Sequence, residues 1–461
     1  MTHNINNEHS VINTNKIRNL LTKLTRDQGI NKWDLGASSS NDISVQIDKG
    51  EPKQLKASQR SSITIRIWDH INRVGITSTS DLTDTGLEKA IRGAKEASEF
   101  GNIYETPEFS PLAKQNIKMK ELVSPKRYGI KSLLNILRDS EDSLLSSHNS
   151  IDSVPYNGLS ESFYERIYLN SDGAKRNMNT SQACIYLYSK AEETGRKPRS
   201  SGSVKIAYSI DELKIKECIE EAAQKTISHL NYQPIITGKY LICFKPEAFL
   251  ELINAFSNIF NARSILDGVS LSQKDSLGCK LAVPELSIVD NGLHPTNIGS
   301  FSFDGEGTPT KELEIIKKGV LKNLIHSEYT ARMFGVNPTG HAGLGSKVSV
   351  SPDWLIIGND KEITSVNKDL NHNSTSGKYI MIESLNALHS GVKASQGSFS
   401  LPFDGWLVEN GYKTSIEAAT VAGDIKELLL NIIQVEDKQF ETHIGISPHV
   451  WINNLSITGE A

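Results

Sequence analysis

Two hydrophobic rhythms alternate along the chain, and they predict the order of its elements. In "NKIRNLLTKL", Ile17, Leu20, Leu21 and Leu24 recur at helical spacing and predict an amphipathic helix. "ISVQID" then sets Ile43, Val45 and Ile47 against polar neighbours, and "SSITIRIW" does the same with Ile63, Ile65 and Ile67. A period of two predicts strands of a sheet with one wet face. Helical spacing returns in "DLTDTGLEKAIRGAKEAS" through Leu87, Ala90, Ile91 and Ala94, with Asp84 or Thr85 as the expected N-cap.

The stretch "GNIYETPEFSPLAKQN", with Pro107 and Pro111, reads as a linker. Beyond it the same order recurs. A helix around Ile130, Leu133, Leu134 and Leu137 precedes strands in "ERIYLN", "ACIYLYS" and "SVKIAYS". A second helix then carries Ile215, Ile219, Ala222 and Ile227 on one face. The recurrence reads as a structural duplication, with chance repetition in an α+β protein as the bland alternative. From about Tyr240 one helix, "PEAFLELINAFSNIFNA", opens on Pro246, which suits a first helical turn. Short alternating segments bounded by turns come next, and one late helix, "DIKELLLNII", is capped by Asp424. The expected fold class is α+β: a duplicated helix and antiparallel-sheet region, then a mainly antiparallel β domain, sandwich or barrel-like. The expected boundaries are a polar tail over 1–15, α+β units over 16–105 and 123–234 around a linker at 106–122, and the β-rich domain over 235–461.

A net charge of −4 and a pI near 6.3 provide no basic footprint for nucleic acid or an anionic membrane. The opening "MTHNINNEHSVINTN" lacks the apolar stretch of a secretion signal, and no later run reaches the length of a membrane span. Cys184, Cys218, Cys243 and Cys279 are scattered, as expected for reduced thiols in a cytoplasmic protein.

Candidate chemistry is thin. "SFDGEGTPT" crowds Asp304, Glu306 and two glycines together, but acids repel phosphate, and the next segment reads as a hairpin turning at Lys317-Lys318-Gly319. As a calcium loop it offers too few ligands. Glycines that let the chain bend or approach another backbone explain it best. The 12 histidines form no H-E-x-x-H or H-E-x-x-x-H, and His443 and His449 flank Pro448 in a loop. No serine sits in G-x-S-x-G, and Cys279 is expected to pack as a small apolar group.

Taken in order, several segments resemble the TldD/TldE (PmbA) family: "DSLGCKLAVPELSIVDN", Asp304-Gly305-Glu306-Gly307, Gly319-Val320-Leu321, Tyr329-Thr330-Ala331-Arg332, Thr339-Gly340-His341-Ala342-Gly343, "GWLVENG" and "NNLSITG". The resemblance spans nearly the whole chain and is most specific from Asp275 to Gly343. It implies a cytoplasmic metallopeptidase acting on small or unfolded peptides. It also implies zinc held by H-E-x-x-x-H on the helix that opens the C-terminal domain, with a cysteine near the C-terminus. Here that helix carries Glu247 and Glu251, with Asn254, Ser257 and Asn258 as weak substitutes. No histidine lies between His229 and His294, and the last cysteine is Cys279. The resemblance is therefore to the TldE/PmbA type.

The implied role is a subunit without catalytic residues or metal of its own, shaping a peptide chamber for a zinc-bearing TldD-type partner, in a hetero-oligomer or as a homodimer. Gly391 and Gly397 in "SGVKASQGSFS" are the candidate peptide-binding wall, with simple turn geometry as the alternative. A rival reading is a divergent self-sufficient metallopeptidase with ligands recruited from His389, His443 and His449. A third is a peptide-binding or assembly protein without catalysis. Neither a nucleic acid nor a membrane is an expected partner, and the family's association with gyrase regulation finds no basic face here.

Overall fold

Strand pairing joins the two predicted α+β units into one sheet. The computed structural model describes residues 12–101, 108–119, 126–345, 347–358 and 377–459. Residues 1–11 of the polar tail, Pro107, and 120–122 of the expected linker lie outside the described residues. The N-terminal half runs α1 (Thr14–Asp27), β1 (Lys32–Asp48), β2 (Glu51–Trp68), β3 (Val74–Thr79), α2 (Asp84–Ser98), α3 (Ile130–Leu145), β4 (Ile151–Asn170), β5 (Lys175–Ala191), β6 (Arg199–Ala207) and α4 (Ile215–Ser228). The six strands lie in the order β3-β2-β1-β4-β5-β6, all antiparallel. Each half thus contributes helix, three strands and helix, and the order mirrors itself about the β1–β4 pair.

Two cores result from the alternation. Leu21, Leu35, Ile65, Leu87 and Ile91 fill one, and Val45, Leu133, Leu137, Ile185 and Ala222 fill the other. Each valine, leucine or isoleucine so buried contributes on the order of 1.5–3 kcal/mol. The cap of α2 is Thr83, one residue before the expected Asp84 or Thr85. Its Oγ1 accepts from the Gly86 N–H while Asp81 holds Thr83 itself, which leaves Asp84 inside the first turn, facing the positive helix end.

The C-terminal half contains β7 (Gly238–Phe244), α5 (Pro246–Ala255), β8 (Ser287–Asp290), β9 (Leu313–Lys317), β10 (Val320–Leu321), α6 (Glu328–Phe334), β11 (Leu355–Gly358), β12 (Lys378–Leu385), β13 (Ser398–Glu409), β14 (Ala419–Asp424), α7 (Ile425–Leu430), β15 (Phe440–Glu441), β16 (Gly445–Ser447) and β17 (Val450–Gly459). Strands β12, β7, β17, β14 and β13 pair in turn, and β13 pairs back to β12, closing a five-stranded barrel. Beside it a second sheet runs β10-β9-β8-β11-β16-β15. The β9–β10 hairpin turns at Lys318 and Gly319, both at positive φ, as a two-residue turn requires.

Three local expectations change. The helix opening at Pro246 ends at Ala255. A single-turn 3₁₀ segment, Ser257–Phe260, and an extended Asn261 break it. The Asn261 side chain donates to the Val350 carbonyl and caps the next short helix. The late helix stops at Leu430, because Ile432–Val435 leaves to pair with β17. Cys279 is exposed and not packed: the turn at Gly278, φ +83°, carries it outward, where its thiol meets only the Asp275 carbonyl. Among the described residues no helix is long and apolar enough to cross a membrane.

Candidate functional site

The acidic loop that stands out in the sequence is a closed junction. Phe303 bridges Pro309, so Asp304–Thr308 forms a tight bend. The Asp304 carboxylate accepts from the N–H groups of Glu306, Thr308 and Ala342. Glu306, 0% exposed, accepts from the Glu328 N–H at 2.8 Å and from Arg66 Nη1 at 3.1 Å. Arg66 is itself 0% exposed and reaches back to Asp34 through Nε at 2.9 Å and Nη2 at 2.5 Å, while Tyr168 Oη donates to the same carboxylate. Burial would depress the guanidinium pKa, but Asp34 and then Glu306 outweigh it and hold Arg66 well above its usual value. A Cβ at Gly305 would lie 2.2 Å from the Leu344 N, so this bend admits only glycine. The described part of the expected linker packs here too: Ser110 accepts from Thr308 Oγ1, and the Glu108 N–H donates to Glu328. Each of the four carboxylate oxygens of Asp304 and Glu306 thus already has a protein donor. The loop clamps the N-terminal sheet to the C-terminal domain.

The open chemistry lies on α5. A cleft of about 1020 Å³ runs between α4 and β6 on one side and α5 and residues 441–444 on the other. Strand β6 is one edge of the N-terminal sheet and β15 one edge of the C-terminal sheet, so two sheet edges border the same space. Glu247 lies 3.4 Å from His443 Nδ1. Glu251, one turn further on, has a buried Oε2 with no hydrogen-bond partner among the described residues. Burial and the neighbouring Glu247 charge push its carboxyl up to about 7.

A zinc centre needs three or four donors converging on one point. Glu247, Glu251 and His443 do not converge so: among the described residues, the only three donor side chains with ligand atoms within 4.8 Å of one another are Asp290, His341 and Asp353. The residues on α5 do not fit the zinc that the family resemblance implies.

The other expected residues fall apart in space. Gly391 and Gly397 flank a two-residue strand. A Cβ on Gly391 would sit 2.4 Å from the Ser400 carbonyl, and Gly397 takes φ +82° in a turn; neither lines the cleft. His389 is exposed, His443 meets Glu247, and His449 meets Glu436 at 3.5 Å. Sequence reasoning missed Arg66 and Asp34, which look like outward positions of alternating strands. Only the register, Asp34 opposite Arg66, exposes them as a pair.

Comparison with known proteins places this architecture. Three family models match in sequence: PmbA/TldA metallopeptidase domain 1 over residues 33–98, the central domain over 124–230 and the C-terminal domain over 237–459. The chain belongs to the PmbA/TldD metallopeptidase family. The family's metalloprotease PmbA from Escherichia coli O157:H7 is 24% identical over 445 residues, 93% of this chain and 92% of that protein. Metalloprotease MJ0996 from Methanocaldococcus jannaschii is 22% identical over 417 residues, 87% and 88% of the two chains. Among solved structures, a candidate modulator of a DNA gyrase from Thermotoga maritima superposes with a TM-score of 0.83 at 22% identity, covering 96% of this chain and 100% of that one. TldE from Thermococcus kodakarensis superposes at 0.80 and 19% identity, covering 95% and 100%. These two likenesses concern the shared PmbA/TldD fold.

Proposed function

We propose that this chain is the TldE/PmbA-type subunit of a TldD/TldE-like peptidase. It shapes the chamber in which a small or unfolded peptide is held, and the zinc and the bond cleavage belong to a TldD-type partner. The observation that carries this reading is the cleft face of α5, where Glu247 and Asn254 stand and, among the described residues, no donor set converges on that helix. The chain's own contribution is positioning. A peptide lying extended along β6 or β15 adds as a strand, its backbone supplying the pairing, so binding tolerates varied side chains. A folded substrate cannot present such a strand, which limits substrates to short or unfolded chains.

One observation favours a second reading. A carboxyl near neutrality beside the Glu247–His443 pair is poised for proton transfer, as a self-sufficient hydrolase would need. Purification from the native source separates the two. The subunit reading expects a TldD-type companion at fixed stoichiometry. A chain that elutes alone and cleaves unstructured peptides, with loss of that activity in Glu251→Gln, overturns it in favour of the second.

A further inference from the structure

Away from α5, we propose that Asp290, His341 and Asp353 form a binding site for one divalent first-row transition-metal cation, Zn²⁺ or Mn²⁺ in class. It borders a smaller cavity of about 280 Å³, and Asp353 also lines the large cleft. Asp290 ends β8 and is fully buried, with its two oxygens accepting from the Asp353 and Trp354 N–H groups at 2.8 and 3.0 Å, so its position is fixed. His341 is aimed by the turn before it. Gly340 takes φ +87°, and a Cβ there would lie 2.5 Å from the Pro309 carbonyl.

The protonation of His341 is set by its neighbours. Thr339 Oγ1 accepts from the His326 N–H at 2.7 Å and donates its own proton to the His326 carbonyl at 3.2 Å. Its remaining lone pair accepts from His341 Nδ1 at 2.8 Å in the neutral tautomer that carries its proton there, and in that tautomer Nε2 keeps its lone pair. That lone pair faces Asp290 Oδ2 at 3.5 Å. Two lone pairs so opposed need a positive centre between them, either a proton on Nε2, which Asp290 favours against the effect of burial, or a metal cation in its place. Tetrahedral donors about 2.1 Å from a zinc stand roughly 3.4 Å apart, which matches this separation.

The third donor is free to serve. Asp353 is exposed toward the cavity, and its carboxylate makes no hydrogen bond among the described residues. Its room depends on Gly292, where a Cβ would fall 2.7 Å from Asp353 Oδ2. Arg166 stacks on Phe301 at 3.9 Å and donates to the Phe303 carbonyl, and its charge reaches Asp353 without a hydrogen bond to it. One imidazole and two carboxylates suit Zn²⁺ or Mn²⁺ better than a cysteine-selective or all-oxygen ion, and the cavity leaves space for waters to complete the shell. A bound ion would fasten the Thr339–Gly343 turn to β8 and the segment entering β11.

The experiment uses the full chain, stripped with chelator and titrated with Co²⁺ and Zn²⁺, followed by calorimetry and by the visible Co²⁺ spectrum. The expected result is about one cation per chain, with affinity about tenfold weaker or worse in Asp353→Asn, His341→Gln and Thr339→Val. Glu251→Gln, which removes none of the three donors, leaves binding unchanged. Asp353 is exposed and its carboxylate makes no hydrogen bond among the described residues, so its variant is expected to keep the fold even where His341→Gln does not. Failure of the chain to bind either ion means that a proton on His341 alone fills the gap, and the proposal falls. It falls equally if binding survives in Asp353→Asn. Neither outcome touches the subunit reading, which rests on α5.

Discussion

Asp304 and Glu306 lie two residues apart on a loop, and Glu247 and Glu251 lie one turn apart on a helix, yet the two carboxylate pairs have opposite surroundings. The first pair is sealed, with backbone N–H groups and Arg66 taking up its oxygens. Glu247 of the second pair borders the large cleft, and behind it one buried oxygen of Glu251 has no hydrogen-bond partner among the described residues. The loop that stands out as a motif does structural work, and the plainer helix borders the open cleft. Acid spacing in a sequence therefore does not tell a clamp from a cleft; the partners reached by long-range pairing do.

The comparison breaks most readily at Arg66. Arg66→Met leaves Asp34 and Glu306 buried without their cation and is expected to cost about 3–5 kcal/mol in urea unfolding. Adding Glu306→Gln to that variant is expected to recover part of the loss. A cost under about 1 kcal/mol, the range of an exposed ion pair, would show that the junction is not sealed.

A third acid sharpens the contrast. Glu383 is buried beside His229 at 3.3 Å and Lys245, the residue that precedes α5, at 2.5 Å. Burial pushes its pKa up, but the His229 hydrogen bond and the Lys245 charge win and hold it at about 2. Its folded pKa lies below the ordinary 4.5. It therefore contributes stability above about pH 4.5, roughly 3 kcal/mol, that is lost as pH falls toward 2. Glu383→Gln is expected to flatten that part of the stability–pH curve.

Glu251 carries the opposite sign. Its folded pKa is raised, so ionising it costs stability as pH rises from 4.5 to about 7. Glu251→Gln is expected to leave the melting temperature unchanged at pH 4 and to raise it at pH 8; equal melting at both would mean that the carboxylate is fully solvated. The smallest effect belongs to the thiols. Cys279 is expected to react with a thiol reagent in the native chain while the buried Cys218 and Cys243 stay protected, and Cys279→Ser is expected to leave stability unchanged.

Much of the fold was legible locally. The alternation of Ile63, Ile65 and Ile67, the cap at Asp424 and the Lys318-Gly319 turn depend on neighbours in sequence, and each forms as the pattern requires. The break in the helix after Ala255 was not legible, because it depends on Asn261 reaching Val350. The clamp was hidden for the same reason: Arg66 and Glu306 are 240 residues apart. On α5 the sequence exposed the two glutamates and the lack of histidine, but the burial of Glu251 comes from strands folded around it.

The most direct test of the central claim is a peptide-cleavage assay of this chain, alone and with a TldD-type partner, on an unstructured peptide and on a folded protein. The account predicts no cleavage by the chain alone, and cleavage of the unstructured peptide only when the partner is added. Cleavage by the chain alone, undiminished when every trace of a companion is removed, would contradict it.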